Sequence, residues 1–159
     1  MYSAHVQSHL NYIAPVLAAG RVQDINALAA KQRKCIRIAA GAAYNADASN
    51  IFKELDILPL NQIITYSIAL FMFDYLAGNL PASYTGEWVL NRDRVAIQPR
   101  RDLRNNNDFY IPIFRYSYLE GYPLFKFPKV WNNLSSDLKS TFPRSRFASA
   151  LKQSLLDEI

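Results

Sequence analysis

Four cations, Lys31, Arg33, Lys34 and Arg37, lie close together in the first quarter of the chain, and no acidic residue interrupts them. Clustered Lys and Arg side chains without acidic neighbours are suited to contacting phosphates, which is the chemistry that this pattern indicates. The other interpretation is an idle, solvated helix surface, since most Lys and Arg side chains on helices only face water. From this segment alone the two interpretations are evenly balanced.

Two histidines, His5 and His9, are four residues apart and could share a helix face, as a metal-binding pair would. The sequence offers no third ligand at a matching spacing and no acidic general base between them, which favours ordinary polar histidines. Cys35 is the single cysteine, so one chain can form neither a disulfide nor a thiolate metal cluster, and a reducing compartment fits. The sequence therefore predicts no catalytic residue, no metal site and no cofactor.

The element that must position the four cations is a helix over residues 24–40. Apolar or small side chains recur there at the helical period and predict a core-facing stripe: Ile25, Leu28, Ala29, Gln32, Cys35, Ile36 and Ala39. The cations fall on the other half of the cylinder. Asp24 and Gly41 are the expected cap residues at the two ends.

The chain has 159 residues and a net charge of +5, and the charge is unevenly distributed. Lys and Arg number six against six Asp and Glu in residues 1–91, eleven against five in 92–146, and one against two in 147–159. A basic region beside a neutral half suggests a polyanion such as RNA or DNA, with an anionic membrane surface as the weaker option.

No targeting or membrane segment is evident in the sequence. The first ten residues lack the cationic start and apolar core of a signal peptide, and no run reaches the roughly 18 apolar residues of a spanning helix. We expect an intracellular protein, nuclear or cytoplasmic, with no membrane partner.

The periodicity of the remaining chain predicts mainly helices. We expect helices over residues 2–19, 51–55, 60–77 and 144–156, the first kinked or split at Pro15 and the third apolar nearly all round and buried. One compact unit is expected, made of a helical part (1–78), an Arg-rich loop (79–108) and a C-terminal part (109–159).

Further candidate phosphate contacts lie in the second half of the chain. The Arg-rich loop contributes Arg92, Arg94, Arg100, Arg101 and Arg104. In the aromatic segment 109–131 we expect a short β-hairpin around Glu120 and Gly121, where Arg115 and Lys126 interleave with aromatic side chains. That arrangement can stack bases and contact phosphates, although packing of the aromatics on the helices is the other interpretation.

Several motifs, taken in order, resemble a known family. They are SHLNY (8–12), KQRKCIRIAAGAAYNA (31–46), IFKELDILPL (51–60), ALFMFDYLAGNLP (69–81), YPLFKFPKVWNNL (122–134) and FASALKQSLL (147–156). Their order and spacing resemble the end of the thumb and the C-terminal tail of the reverse transcriptase of a non-LTR (LINE-type) retrotransposon. The chain departs from the family at Leu17 and Ala18, where the family has Trp-Gly, and at Ser135, where its Trp-Asn box has Pro.

The resemblance implies a thumb-like helical bundle, followed by the hairpin and a terminal helix, in a mainly α (α+β) fold. It implies a nucleic-acid-gripping role without chemistry, because the parent family is an RNA-directed DNA polymerase whose palm needs clustered carboxylates, and this chain has no Asp-Asp pair. Four residues would then be structural: Trp131, Asn132, Phe147 and Leu151. The alternative is a protein-interaction module that docks a missing palm or another chain through helix 60–77 and segment 109–131.

Overall fold

The computed structural model describes residues 2–94, 107–113 and 117–159, and this part of the chain is mainly helical. Its eight α-helices are α1 (Ser8–Leu17), α2 (Val22–Ala39), α3 (Ala48–Glu54), α4 (Leu60–Leu76), α5 (Asn91–Arg94), α6 (Pro123–Asn132), α7 (Ser136–Lys139) and α8 (Arg144–Asp157). A π-helical stretch, Ser3–Gln7, precedes α1, and two 3₁₀ turns lie at Ala82–Tyr84 and Ser117–Gly121.

Helix α4 is the centre of the fold. Helices α1, α2, α6 and α8 all pack against it, which explains why its sequence is apolar nearly all round. The helix begins after Pro59, and Gly78, two residues beyond its last residue Leu76, has a φ of +71° that suits a residue without a Cβ. A search of the described residues for a helix able to cross a bilayer finds none.

The main hydrophobic core joins both ends of the chain. It contains Leu10 and Ala14 of α1, the inner face of α4, Trp131 of α6, and Leu151 of α8. A smaller cluster lies under α3 and includes Ile36 and Phe52. The predicted mainly α architecture is confirmed in the described residues.

The predicted β-hairpin around Glu120 and Gly121 is wrong, because the described residues contain no β-strand there. Residues 117–121 form a 3₁₀ turn, and α6 begins directly after it. Pro123 occupies the first helical position, where its missing N–H leaves no bond unmade. The aromatic residues are spaced for a helix, since Phe127 and Trp131 are one turn apart and both are buried.

The Arg-rich segment is more structured than a loop in its described first part. Trp88 and Leu90 are buried in the main core, and α5 follows them. Leu90 forms an isolated antiparallel bridge with Phe109. The first helix also differs from the expectation, since it is divided near Gln7 and Pro15 lies inside α1.

Candidate nucleic-acid interface

Helix α2 carries the predicted cations. Its predicted cap residues are Asp24 at the start and Gly41 at the end. The helix is capped at its start by Arg21 in an extended conformation, and Asp24 lies inside the first turn, where it forms an ion pair of 2.9 Å with Arg21. Asp24 is therefore not the cap residue. At the other end Gly41 has a φ of +65°, and the N–H of Ala42 donates to the carbonyl of Arg37 at 2.9 Å.

The inner face of α2 is held by apolar packing and by two hydrogen bonds of Gln32, called the clasp of Gln32 below. Ile25, Ala29 and Ile36 are buried, while the amide of Gln32, 2% exposed, bonds to the chain just before α4. Its Oε1 accepts from the N–H of Leu60 at 2.7 Å, and its Nε2 donates to the carbonyl of Leu58 at 3.2 Å. The clasp fixes the rotation of α2, so the opposite face must point outward.

Lys31 and Lys34 lie on that outer surface, whereas the expectation that Arg33 also lies opposite the core is wrong: Arg33 is exposed beside Gln32, where it lines a groove with Ala48 and Phe52 of α3. Lys31, Arg33 and Lys34 are exposed, and none of them has a hydrogen bond or an ion pair with another described residue. Lys31 and Lys34 are separated by about 4.5 Å along the helix axis, as three residues of α-helix require. They continue a stripe with Ala27 and Ile38, which are also exposed.

Arg37 differs from these three. Its side chain is half-buried, and its Nε donates to the carbonyl oxygen of Ala46 at 2.7 Å. Ala46 lies in the turn that connects α2 to α3, so the guanidinium braces this turn against the end of α2. Arg37 is thus engaged within the fold, and α2 offers three unengaged cations.

The other described candidates also have partners within the chain. Arg92 lies 3.6 Å from Asp93, and the guanidinium of Arg94 lies 3.5 Å from the ring centroid of Tyr110. Lys126 donates from Nζ to the carbonyl of Ala18 at 2.6 Å, at the C-terminal end of α1. Burial lowers the pKa of Lys126. Four predicted residues lie outside the described part of the chain: Arg100, Arg101, Arg104 and Arg115.

Ion pairs engage most of the remaining cations in the described residues. Lys139 pairs with Asp108 and Arg144 with Asp74, each at 2.8 Å, and Lys152 pairs with Asp56. Lys129 lies 3.9 Å from Glu120. Within the described ranges, five cations have no such partner: Lys31, Arg33, Lys34, Lys53 and Arg146. Three of these five lie within four consecutive positions of α2.

The four residues expected to be structural lie in the core or beside it. Trp131 is buried, and its ring centroid is 5.9 Å from that of Phe147, which is itself buried next to Leu151 on α8. Asn132 is half-buried and bonds to the main chain of Phe109. The structure thus brings Trp131 and Asn132 of one helix against two other parts of the chain.

The described residues hold no group of three or more potential metal-ligating side chains, and His5 and His9 are both exposed. Comparisons of the chain with protein-family models, with curated proteins and with solved structures give no match.

The sequence interpretation missed a second cluster. Tyr75, Tyr84, Trp88 and Phe109 line a pocket at the C-terminal end of α4, beside Arg92. Trp88 begins a run of three apolar residues with Val89 and Leu90, which is too short to show a helical period. This short apolar run, which contains a tryptophan, was the available signal, because tryptophan seldom stays fully exposed.

Proposed function

We propose that this chain binds the sugar-phosphate backbone of nucleic acid through the outer face of α2. The observation that carries the proposal is the clustering on one helix of Lys31, Arg33 and Lys34, three exposed cations that have no partner among the described residues. A rigid helix keeps Lys31 and Lys34 on one face, where they can contact phosphates together, and Arg33 is exposed at the flank of the same helix turn.

Unengaged cations matter because a paired cation has already lost part of its attraction for a phosphate. The unpaired side chains of α2 are neutralised only by ions from solution. When these side chains contact phosphates, cations condensed on the nucleic acid are released. Ala27 and Ala30 beside the two lysines are small, so a backbone can approach the helix closely. The net charge of +5 favours the encounter at long range.

Backbone contacts give affinity with little base preference, so the proposed role is holding RNA or DNA without reading its sequence and without catalysis. The motifs that resemble the thumb of a LINE-type reverse transcriptase support the same role, since a thumb holds a template-primer duplex by its backbone. Arg37 supports it indirectly, because its bond to Ala46 fixes the end of the helix.

Two charge-matched variants test the proposal. Lys31→Gln with Lys34→Gln removes two cations from the α2 face, whereas Lys53→Gln with Arg146→Gln removes two unengaged cations from elsewhere. Fluorescence anisotropy with a labelled RNA strand and a labelled DNA duplex at low salt should show weaker binding for the first variant and near-wild-type binding for the second. Equal losses would assign the binding to net charge, and no wild-type binding would reject the proposal.

A second candidate is a protein-interaction role, favoured by exposed apolar residues on α1. Tyr12 is 85% and Val16 77% exposed, one turn apart on the same face. Helix α4 is covered by four other helices, so α1 offers more exposed apolar surface than the segment 60–77. A chain that binds no nucleic acid at low salt but forms a discrete complex with a protein, lost in Tyr12→Ser with Val16→Ser, would favour this candidate.

A further inference from the structure

The pocket at the end of α4 has a volume of about 360 Å³. It lies between the last turn of α4 and the segment that leads into α5, and Phe109 closes one side. The volume falls in the range of roughly 300–1,000 Å³ that small-molecule sites occupy. The pocket is therefore large enough for a single planar ring system with a small substituent.

The inner walls of the pocket are aromatic and held in place. The hydroxyl of Tyr75 accepts from the N–H of Trp88 at 3.1 Å and donates to the carbonyl of Trp88 at 2.7 Å. The two rings are perpendicular, with centroids 5.1 Å apart. The ring of Phe109 lies 5.9 Å from that of Tyr75. Because these contacts are made within the protein itself, a ligand would not have to order the walls.

Tyr84 lies at the mouth of the pocket. Its ring is supported by the edge-on contact with Phe71, whose centroid is 5.5 Å away, and the residue remains 39% exposed. A supported but accessible ring is suited to stacking on a flat ligand. Tyr84 thus supplies the accessible aromatic surface of the site.

The rim is charged. Arg92 and Asp93 both line the pocket, and their separation of 3.6 Å is longer than a hydrogen bond. The side chains of Arg92 and Asp93 are 58% and 62% exposed, so their ion pair is weak, and the guanidinium can turn from it to a phosphate. Asp93 opposes the approach of several negative charges, which favours a ligand with one phosphate over a polyphosphate.

We propose that this pocket binds one nucleotide, with the base against Tyr84 and the phosphate at Arg92. The same chemistry is present in a free mononucleotide and in an unpaired nucleotide of a strand. This site is separate from the α2 face, and its ligand is defined by a single base and not by a run of phosphates. It can therefore exist whether or not α2 binds nucleic acid.

A cation is the competing ligand class, because aromatic pockets also bind quaternary ammonium groups. Arg92 at the rim repels such a cation, whereas Asp93 attracts it, so tetramethylammonium is included in the test below. The accessible ring of Tyr84 together with the guanidinium of Arg92 suits a base that carries a phosphate.

Isothermal titration of the full chain with AMP, adenosine, ribose 5-phosphate and tetramethylammonium tests the ligand class. AMP should bind more tightly than adenosine, which lacks the phosphate, and than ribose 5-phosphate, which lacks the base. Tyr84→Leu should weaken AMP binding about tenfold, as loss of one stacking ring does. Arg92→Gln should weaken AMP but leave adenosine unchanged. Tyr122→Leu, an exposed tyrosine elsewhere, is the matched control.

The source of the nucleotide is tested with an oligouridine strand and a blunt duplex. If the ligand is a nucleotide within a strand, Tyr84→Leu should weaken binding of the oligouridine strand and leave binding of the duplex unchanged. If the ligand is a free mononucleotide, Tyr84→Leu should weaken binding of AMP and leave binding of the strand unchanged. Lys31→Gln with Lys34→Gln should leave AMP binding unchanged, which separates this site from the α2 face. No binding of either AMP or the strand, an unaltered affinity in Tyr84→Leu, or preference for tetramethylammonium would overturn the proposal.

Discussion

The side-chain amide of Asn132 pairs with both main-chain polar groups of Phe109. The N–H of Phe109 donates to Oδ1 and Nδ2 donates to the carbonyl of Phe109, both at 2.8 Å. Asn132 thus acts toward this segment as a neighbouring strand would. Lys139 reinforces the junction, since its Nζ contacts both Asp108 and the carbonyl of Asn132.

Asn132→Leu should lower the free energy of unfolding by roughly 2–4 kcal/mol, because it leaves two main-chain groups of Phe109 without partners in a partly buried place. Asn133→Leu makes the same change at the exposed neighbouring position and should stay within about 0.5 kcal/mol of wild type. Urea unfolding of the two variants provides the comparison. Equal unfolding midpoints would show that the pairing does not hold the segment.

The clasp of Gln32 gives a second stability prediction. Gln32→Leu removes the partners of Leu58 and Leu60 and should cost roughly 2–4 kcal/mol. Gln23→Leu repeats the substitution on the exposed side of the same helix and serves as the control. Urea denaturation followed by circular dichroism measures both. A Gln32→Leu protein as stable as the Gln23→Leu protein would mean that apolar packing replaces the clasp.

We expect Trp131 to stabilise the fold and not to contact nucleic acid. Trp131→Ala should cost roughly 3–5 kcal/mol, since the indole is buried against Phe147. Nucleic-acid binding by the variant, measured at a temperature where it is still folded, should equal that of wild type. An unchanged melting curve together with weakened RNA binding would reverse this assignment and make Trp131 a contact residue.

The lowered pKa of Lys126 predicts that the free energy of unfolding depends on pH. Burial lowers its pKa in the folded state below the ordinary value of 10.5, so between these two values the unfolded chain binds more protons than the folded one. The cost of burying the charge is therefore fully present at neutral pH and is relieved as the pH rises toward 10.5. The stability of wild type relative to Lys126→Met should increase over this alkaline range in denaturant titrations. A constant or falling difference would contradict the burial effect.

Much of the helical framework could be predicted from the sequence. The 3.6-residue period located α2 and α4 and gave α8 as residues 144–156, against Arg144–Asp157 in the structure. The hairpin prediction for the aromatic segment failed because β-propensity largely measures packing. Pro123 at the first helical position favours the start of α6 there.

The site was only partly predictable, because hydrogen bonds that depend on the tertiary fold leave no local pattern. Lys31 and Lys34 could be placed on the outer face of α2, but the groove that Arg33 lines with α3 and the bond from Arg37 to Ala46 could not be foreseen. The same holds for Gln32, whose partners lie more than 25 residues away along the chain. Trp88 was missed because an apolar run of three residues, Trp88 to Leu90, is too short to show a period.

The salt dependence of binding tests the central claim most directly. Each phosphate contact contributes roughly 0.7 to 0.9 to the slope of log K against log salt. Lys31→Gln, Arg33→Gln and Lys34→Gln together should therefore flatten the slope by about 2 to 3, similarly for unrelated RNA and DNA sequences. Arg37 is kept in this variant because its guanidinium holds Ala46. A slope equal to that of wild type, in a variant that is still folded, would contradict backbone binding by α2.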